Sequence, residues 1–450
     1  MKRHTGNANL LIGASKHSTE SVALPIGVLS KTATQECGVP RHAVNNQGAA
    51  VKKGWQTKRL GDICEIERGG SPRPIDNYLT NDVDGINWIK IGDTKNVTKY
   101  ITKTAEKIKP EGAKRSRMVY EGDFILSNSM SFGRPYIMKT SGCIHDGWLV
   151  LRKPEIDQDY LYYILGSDLV FNQFDRLAAG STVRNLNIGL AKTVAIPYPP
   201  LPEQQRIVSI LDEAFEGIAT SKANTEKNLQ NARAIFESHL QSVFTRPNEV
   251  WVQIRLADAC QSLHQGLNTA GEKVKFYESG YPIIQTRNID EGVVDLDNRI
   301  KLMCEKDWLL YRDKFRPEVG DVFFTNIGTI GKTAIVTVDR DYLIHWNIFK
   351  LRPRHEKITS AFLRYTLESL TISGYFKKLQ KGGTVDFVTK KMISEALIYL
   401  PNIVVQEKIV VKLDLLRDET QRLESIYQRK LTALEELKKS LLHKAFNGEL

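Results

Sequence analysis

The chain has 450 residues, which is too long for one typical domain, and 41% of them are hydrophobic, a normal share for a protein that buries its cores. Its formal net charge of +11 suits a polyanionic partner, although a moderately basic soluble protein would carry the same charge. No run of about 18 apolar residues is present, and the N-terminal stretch is too polar for a secretion signal, which predicts a cytoplasmic protein.

Residues 1–50 are rich in Ser, Thr, Asn, Gly and Ala and lack a sustained apolar period, which is typical of a disordered extension. Two blocks follow, at 51–200 and 251–400, and short motifs recur between them in the same order. Residues 122–128 (GDFILSN), for example, match residues 320–326 (GDVFFTN). Apolar alternation predicts strands in both blocks, so we expect each block to be one mixed α/β domain.

Each block leads into a long helical segment, predicted over 201–246 and 403–447. The two segments stay in register without a gap, since Ile207, for example, matches Ile409, 202 residues later. Apolar residues recur in both at a spacing near 3.5, which is typical of coiled coils. We predict that the two helices pair antiparallel with pseudo-twofold symmetry, which would place the two blocks at opposite ends.

Motifs for catalysis or cofactor binding are weak in this sequence, so we predict no cofactor, no metal site and no catalytic residue. The stretch Gly328–Thr333 (GTIGKT) resembles a phosphate-binding loop, but such a loop needs four residues between its glycines and this one has two. The matching stretch Gly133–Pro135 (GRP) keeps only a basic residue, so we interpret both as turns that present one cation. His145 and His345 stand at matching positions without a paired nucleophile, which favours structural or binding roles. The five cysteines show no C-x-x-C spacing, which argues against a zinc site and a disulfide framework.

Polar loops in the two blocks carry side chains suited to DNA, because Arg, Asn and Gln can read base edges and Lys mostly contacts phosphate. Any single one of these side chains is more often an ordinary surface residue. The candidate DNA contacts in the first block are Arg68, Ser71, Arg73, Lys90, Lys114, Arg115, Arg117, Asn128, Arg134 and Arg184. Those in the second block are His264, Gln265, Gln285, Arg287, Asn288, Asn326, Lys332 and Lys378. Because the blocks share other motifs but differ at these loops, we expect two recognition surfaces with different preferences.

Several motifs together carry a resemblance to a known family. They are Pro199–Val208 (PPLPEQQRIV), Gly69–Pro72 (GGSP), Ile91–Asp93 (IGD), Gly122–Leu126 (GDFIL) and Gly180–Val183 (GSTV). With the doubled layout, they make residues 51–450 resemble the specificity subunit of Type I restriction–modification systems. The start of the second helical segment, Asn402–Glu407, departs from the pattern, and residues 1–50 have no counterpart.

The resemblance implies an α/β (α+β) fold with two similar mixed target-recognition domains, at 51–200 and 251–400, separated by two long antiparallel coiled-coil helices. Each domain would read one half of a split, asymmetric DNA sequence. The chain itself would be non-catalytic and would direct partner subunits. Those partners would be double-stranded DNA, two methylation subunits and, in the full complex, restriction subunits. The candidate contacts to partner subunits are Gln204, Arg206, Gln406 and Lys408.

Two other classes of function stay open at this point. One is a DNA-binding chain with its own methyltransferase or nuclease activity, because a nuclease triad is easily missed in a sequence. The other is a pure assembly scaffold whose positive charge is incidental. Modification of DNA by the purified chain alone would favour the enzyme. A DNA affinity that stays unchanged when the loop arginines are neutralised would favour the scaffold.

Overall fold

The structure is a computed structural model, and it describes residues 52–128, 133–178, 186–245, 250–290, 292–379 and 387–450. The predicted disordered extension, residues 1–50, lies outside the described residues. Val51–Leu450 form one compact unit. We call residues 52–245 the first half and residues 250–450 the second half. Within the described ranges, no helix combines the length and the apolarity needed to cross a membrane.

The first half is a mixed α/β region that ends in one long helix. Its strands are β1 (Gln56–Arg59), β2 (Glu65–Arg68), β3 (Leu79–Thr80), β4 (Ile86–Ile89), β5 (Tyr100–Ile101), β6 (Glu106–Ile108), β7 (Arg117–Val119), β8 (Phe124–Ser127), β9 (Pro135–Met138), β10 (Gly142–Ile144), β11 (Trp148–Arg152) and β12 (Ala195–Tyr198). Its helices are α1 (Leu60–Ile63), α2 (Pro110–Ala113), α3 (Gln158–Leu165), α4 (Asp168–Ala178), α5 (Ile188–Thr193) and the long α6 (Leu201–Thr245).

The second half follows the same plan. Its strands are β13 (Val252–Arg255), β14 (Cys260–Gln265), β15 (Tyr281–Ile284), β16 (Ile289–Asp290), β17 (Val293–Val294), β18 (Lys301–Met303), β19 (Val322–Thr325), β20 (Thr333–Ile335), β21 (Leu343–Ile344), β22 (Ile348–Pro353) and β23 (Leu397–Leu400). Its helices are α7 (Leu256–Ala259), α8 (Glu305–Phe315), α9 (Ser360–Ile372), α10 (Tyr375–Leu379), α11 (Lys390–Ser394) and the long α12 (Ile403–Asn447).

The sheets of the two halves repeat one topology. The order β2-β11-β8-β9-β5 in the first half corresponds to β14-β22-β19-β20 in the second. A second sheet sets the parallel pair β4 and β10 beside β6, just as the parallel pair β15 and β21 lies beside β18. The two-stranded sheets β1-β12 and β13-β23 also correspond. These pairings confirm the predicted duplication of a mixed α/β fold.

Strand β8 shows why the repeated motif GDFILSN is apolar at consecutive positions. Successive side chains on a strand point to opposite faces of the sheet. Phe124 and Leu126 pack into the core beneath the helices, whereas Ile125 packs into a separate core on the other face. In β19, Phe324 and Phe323 repeat this division between two cores. Both faces of the sheet are therefore covered by apolar cores in each half. Polar side chains that could bind a ligand must lie in the loops at the strand ends.

The long helices α6 and α12 pack against each other in antiparallel orientation. Lys222 Nζ lies 2.6 Å from Glu435 Oε1, and Arg233 Nε lies 2.8 Å from Glu424 Oε2, so the contacts advance along one helix as they retreat along the other. With 45 residues each, the helices are about 67 Å long at 1.5 Å per residue. The predicted antiparallel pair is confirmed.

The helix α12 begins with a signal different from the proline-rich start of α6. The side chain of Asn402 accepts a hydrogen bond from the backbone N–H of Val405 at 3.0 Å, which satisfies one of the unpaired donors at the start of a helix. Gly448 ends the helix in the left-handed conformation, with φ of 74°. A side-chain cap thus explains how Asn402–Glu407 departs from the repeated sequence and still starts an equivalent helix.

The α/β parts of the two halves lie at opposite ends of the helix pair. The core of the first half includes Leu211 near the start of α6 and Phe446 at the end of α12. The core of the second half includes Leu240 near the end of α6 and Leu413 near the start of α12. This arrangement confirms the predicted pseudo-twofold layout. The boundaries of 51–200 and 251–400 as separate recognition domains stay a prediction.

Candidate nucleic-acid interface

Four side chains predicted to contact DNA converge on one residue, Asp146, in the loop between β10 and β11. Arg68 Nε donates to the backbone oxygen of Asp146 at 3.0 Å, and Asn128 Nδ2 donates to the same oxygen at 3.0 Å. Ser71 Oγ donates to the carboxylate at 2.8 Å, and Arg73 Nη2 lies 3.3 Å from its other oxygen. The turn after β2 and the end of β8 are therefore tied to a single loop.

The Asp146 carboxylate is held in its charged form. The hydrogen bond from Ser71 is the largest cause that lowers its pKa, and Arg73 also lowers it. Its side chain is 44% exposed, so this ion pair lies at the surface. Since exposed ion pairs contribute at most about 1 kcal/mol, we assign Asp146 to shaping the loop rather than to stabilising the fold.

Glycines at 69 and 70 let this turn approach its neighbours closely. A Cβ at Gly69 would lie 2.0 Å from the backbone oxygen of His145, and one at Gly70 would lie 3.0 Å from that of Arg115. Any side chain at Gly69 would therefore displace the turn. Because Gly70 has no side chain, the basic segment Lys114–Arg117 can lie directly beside the turn. In this segment, the guanidinium carbon of Arg115 lies 5.7 Å from the ring centre of Tyr78.

The second half builds the same site with different side chains. Gln265, which ends β14 as Arg68 ends β2, donates from Nε2 to the backbone oxygen of Trp346 at 2.7 Å. A Cβ at Gly266 would lie 2.3 Å from the backbone oxygen of His345, as at Gly69. Trp346 takes the place of Asp146, and this residue is 38% exposed. The two sites have the same backbone arrangement. Their side chains differ, because the first site carries a carboxylate and guanidinium groups and the second carries an indole and an amide.

The equivalent histidines lie beneath these loops. Burial is the largest cause that lowers the pKa of both His145 and His345, so both rings are neutral at neutral pH. Gly147 donates its N–H to Nδ1 of His145 at 2.7 Å, and Nδ1 of His345 lies 2.8 Å from Asn347 Oδ1. The rings therefore hold the loops that follow them.

Several predicted cations are exposed or half-buried and have acidic neighbours. Lys90 pairs with Glu106, and Arg117 Nη1 lies 3.5 Å from Glu67 Oε1. Others are exposed at loops or helix ends, as expected for DNA contacts: Lys114, Arg115, Arg134, Arg287 and Lys378. His264 and Gln285 are half-buried. Arg184 lies outside the described residues.

The glycine-rich stretch in the second half forms the hairpin between β19 and β20. Gly328 and Gly331 adopt positive φ angles of 79° and 90°, which favour glycine. Lys332 follows this turn and lies 2.8 Å from Asp290 Oδ1. Gly133 has the same positive φ, 75°, at the matching place in the first half.

Three predicted amide contacts must be corrected. Asn128, Asn288 and Asn326 are each at most 2% exposed, so they cannot reach a base edge in this conformation. Asn288 Oδ1 accepts from the backbone N–H of Gln285 at 3.1 Å, and its Nδ2 donates to the backbone oxygen of Asn298 at 2.9 Å. These amides satisfy backbone groups of the recognition loops and shape them from within.

Two predicted partner contacts must also be corrected. Gln204 and Gln406 are at most 1% exposed, and both clamp the start of a short helix to the start of a long one. Gln204 Oε1 accepts from the N–H of Asp157 at 2.8 Å, and Gln406 Oε1 accepts from that of Thr359 at 3.0 Å. The neighbouring predictions, Arg206 and Lys408, lie on the surface.

Three residues of the candidate interface are not among those predicted from the sequence. Asp146 is an acceptor, whereas the predicted DNA contacts are mainly hydrogen-bond donors, although one carboxylate can anchor several donors. Tyr78 and Trp346 were overlooked because single aromatic residues in loops carry no periodic signal. The alignment of His145 with His345 could have indicated the variable neighbours Asp146 and Trp346.

Comparisons with known proteins agree with the duplicated architecture. Residues 52–231 and 248–432 match the family model described as Type I restriction modification DNA specificity domain. The specificity subunit of the Type I restriction enzyme EcoBI from Escherichia coli is 24% identical over 435 residues, covering 89% of this chain and 87% of that protein. The specificity subunit of MjaIX from Methanocaldococcus jannaschii is 23% identical over 427 residues, covering 89% of this chain and 94% of that protein.

Two solved structures share the fold. One is a chain from a structure that concerns complex assembly and conformational transition of the type I R-M system, with a TM-score of 0.71, 20% identity, and coverage of 89% of this chain and 99% of that chain. The other is the HsdS subunit from Thermoanaerobacter tengcongensis, with a TM-score of 0.56, 21% identity, and coverage of 89% and 98%. Because the family model matches both halves, this chain belongs to the family of Type I restriction modification DNA specificity domains.

Proposed function

We propose that the chain is the DNA sequence-recognition subunit of a Type I restriction–modification complex and that it reads a bipartite, asymmetric target. The observation that carries this proposal is the placement of two equivalent loop sites, around Asp146 and Trp346, in α/β parts at opposite ends of one helix pair. Each site presents polar or aromatic side chains from a shared backbone. Such an arrangement suits contact with two separated segments of one duplex.

The helix pair sets the distance between the two sites. Leu211 anchors the first-half core on α6 and Leu240 anchors the second-half core, 29 residues further along the same helix. That separation corresponds to about 43 Å at 1.5 Å per residue. One turn of B-DNA, about 10 bp, measures about 34–36 Å, so the two recognised segments should have centres about 13 bp apart.

The two sites should prefer different sequences. Arg68 and Arg73 in the first site are suited to guanine edges, although both are now held by Asp146. Gln265 in the second site is suited to adenine, and the exposed ring of Trp346 can contact a thymine methyl or a sugar. The difference between the sites supports an asymmetric target.

We assign the chemistry to partner subunits. The similar proteins are named specificity subunits of restriction enzymes. Two methylation subunits and, in the full complex, restriction subunits would dock on the helices, where Arg206 and Lys408 are exposed.

Neutralising loop arginines should weaken DNA binding and flatten its dependence on salt. Each phosphate contact adds about 0.9 to the slope of log affinity against log salt concentration, because counterions are released. We expect the slope to become shallower by about 2–4 when the chain, assembled with its methylation subunits, carries four alanine substitutions. The four positions are Arg68, Arg73, Arg115 and Arg134.

A matched control removes the same charge from the long helices. It replaces four exposed lysines by alanine: Lys227, Lys412, Lys430 and Lys439. This control should keep the slope of the unsubstituted chain in the same titration. If the arginine variant keeps the slope of the original chain, or if the slope falls equally in both variants, the result would favour a scaffold whose charge is incidental.

A further inference from the structure

The two ion pairs between the long helices are images of each other under the internal repeat. Lys222 lies 2.6 Å from Glu435, and Arg233 lies 2.8 Å from Glu424. In the repeat register, position 222 corresponds to 424 and position 233 corresponds to 435, as Ile207 corresponds to Ile409. The twofold relation maps one ion pair onto the other. The charge at each position is opposite to the charge at its matching position, because α6 carries both cations and α12 carries both anions.

Two further contacts follow the same rule. Lys438 Nζ lies 5.1 Å from the ring centre of Phe215, and Arg417 Cζ lies 4.4 Å from the ring centre of Phe236. Position 215 corresponds to 417 and position 236 to 438, so these contacts are also twofold images. Here α6 supplies both aromatic rings and α12 supplies both cations. Cations are attracted to aromatic faces, so both contacts are favourable.

Several apolar positions do not distinguish the two helices. At these matching positions both helices carry the same residue, as with Leu211 and Leu413, or Leu240 and Leu442. Leu211, Leu240 and Leu413 are fully buried. At these positions, pairing of α6 with a second α6, or of α12 with a second α12, would bury similar apolar surface. Discrimination between these pairings must come from positions at which the two helices differ.

The charged side chains at these positions oppose pairing between identical helices. In the same antiparallel geometry, two copies of α6 would set Lys222 against Arg233, and they would also place Phe215 against Phe236, which is an apolar contact. Two copies of α12 would set Glu424 against Glu435 and Arg417 against Lys438. Like charges facing each other across a helix pair repel, whereas the observed pairing makes every one of these contacts attractive. Polar side chains at the edge of a coiled coil commonly specify partners in this way.

We propose that Lys222, Arg233, Glu424 and Glu435 favour pairing of α6 with α12 over pairing of either helix with its own copy. The helix of each half fits the helix of the opposite half. Two identical halves should therefore pair less tightly than two different halves.

Two double substitutions in the full-length chain test this proposal at constant net charge. R233E/E435K leaves Lys222 facing a lysine and Glu424 facing a glutamate within the chain. Between two copies, however, the new carboxylate at 233 would face Lys222 and the new ammonium at 435 would face Glu424. The matched control K222E/E435K only reverses one ion pair and keeps both pairs attractive within the chain.

We expect R233E/E435K to lower the Tm by about 2 °C relative to the control, because two attractions become two repulsions. In sedimentation at increasing concentration, its dimer fraction should exceed that of the original chain roughly tenfold, since identical helices now attract each other. The control should keep the original Tm. Equal Tm values for the two variants, or a monomeric R233E/E435K chain, would overturn the proposal.

Discussion

Deleting one matched heptad from each long helix, residues 223–229 and 428–434, is expected to shorten the gap in the preferred DNA target. The two segments lie opposite each other between the ion pairs Lys222–Glu435 and Arg233–Glu424. Seven residues correspond to about 10 Å of helix, or about 3 bp of DNA. Because neither loop site is altered, the bases read at each end should stay the same.

Selection from randomised DNA, with the methylation subunits present, measures this gap directly. Two facts make the deletion conservative: both seams keep their heptad period, and both ion pairs keep their partners. A deletion of only 223–229 provides the control, because it breaks the register and should lower the Tm without giving a new fixed gap. An unchanged gap in the matched deletion would show that the helices do not set the spacing.

Replacing Asp146 by alanine is expected to remove recognition of one half of the target while sparing the other. Ser71 and Arg73 would lose the carboxylate that they share, whereas Arg68 would keep its bond to the backbone oxygen of residue 146, so the turn would be held less firmly and would sample several positions. Since a good base contact is worth about 1–3 kcal/mol, affinity for the full target should fall about 10–100-fold. The fixed bases of one block should become degenerate in selection from randomised DNA.

The second half offers a control for this substitution. Gln265→Ala removes the side chain that corresponds to Arg68 and with it the hydrogen bond to the backbone oxygen of Trp346. It should make the other block degenerate and leave the first block intact. Both variants should keep a Tm close to that of the original chain, because Asp146 is 44% exposed and Gln265 is a half-buried residue at the end of β14. Loss of both blocks in either variant would contradict two independent sites.

The architecture could be predicted because its signals are periodic and repeated. The spacing near 3.5 predicted the coiled-coil helices, and the ungapped match of Ile207 with Ile409 predicted their equivalence. Duplicated motifs such as GDFILSN and GDVFFTN predicted that both halves share one fold. The structure has this arrangement, with β8 and β19 at the same place in their sheets.

The roles of single polar residues could not be predicted in the same way. An amide in a loop sequence can face DNA or a backbone group, and only the course of the chain decides. Asn288 and Gln204 are buried because nearby backbone donors and acceptors needed partners. Arg73 and Arg115, by contrast, are exposed because their guanidinium groups are costly to bury.

Thr225 is another polar residue whose role depends on its surroundings in the structure. From the sequence alone, a hydroxyl in the apolar seam of α6 is expected to weaken the pairing of the helices. Thr225 is instead 1% exposed, with its hydroxyl donating to the backbone oxygen of Ser221 at 2.6 Å. The hydroxyl is satisfied within its own helix, so a short polar side chain fits the seam without an unpaired donor.

The most direct test of bipartite recognition is to map methylated bases across the host genome, with and without this gene. We expect one methylation motif that depends on the gene, made of two short fixed blocks with different sequences. The blocks should be separated by a gap of fixed length, with centres about 13 bp apart. A single continuous motif, a symmetric motif, or methylation unchanged by loss of the gene would contradict it.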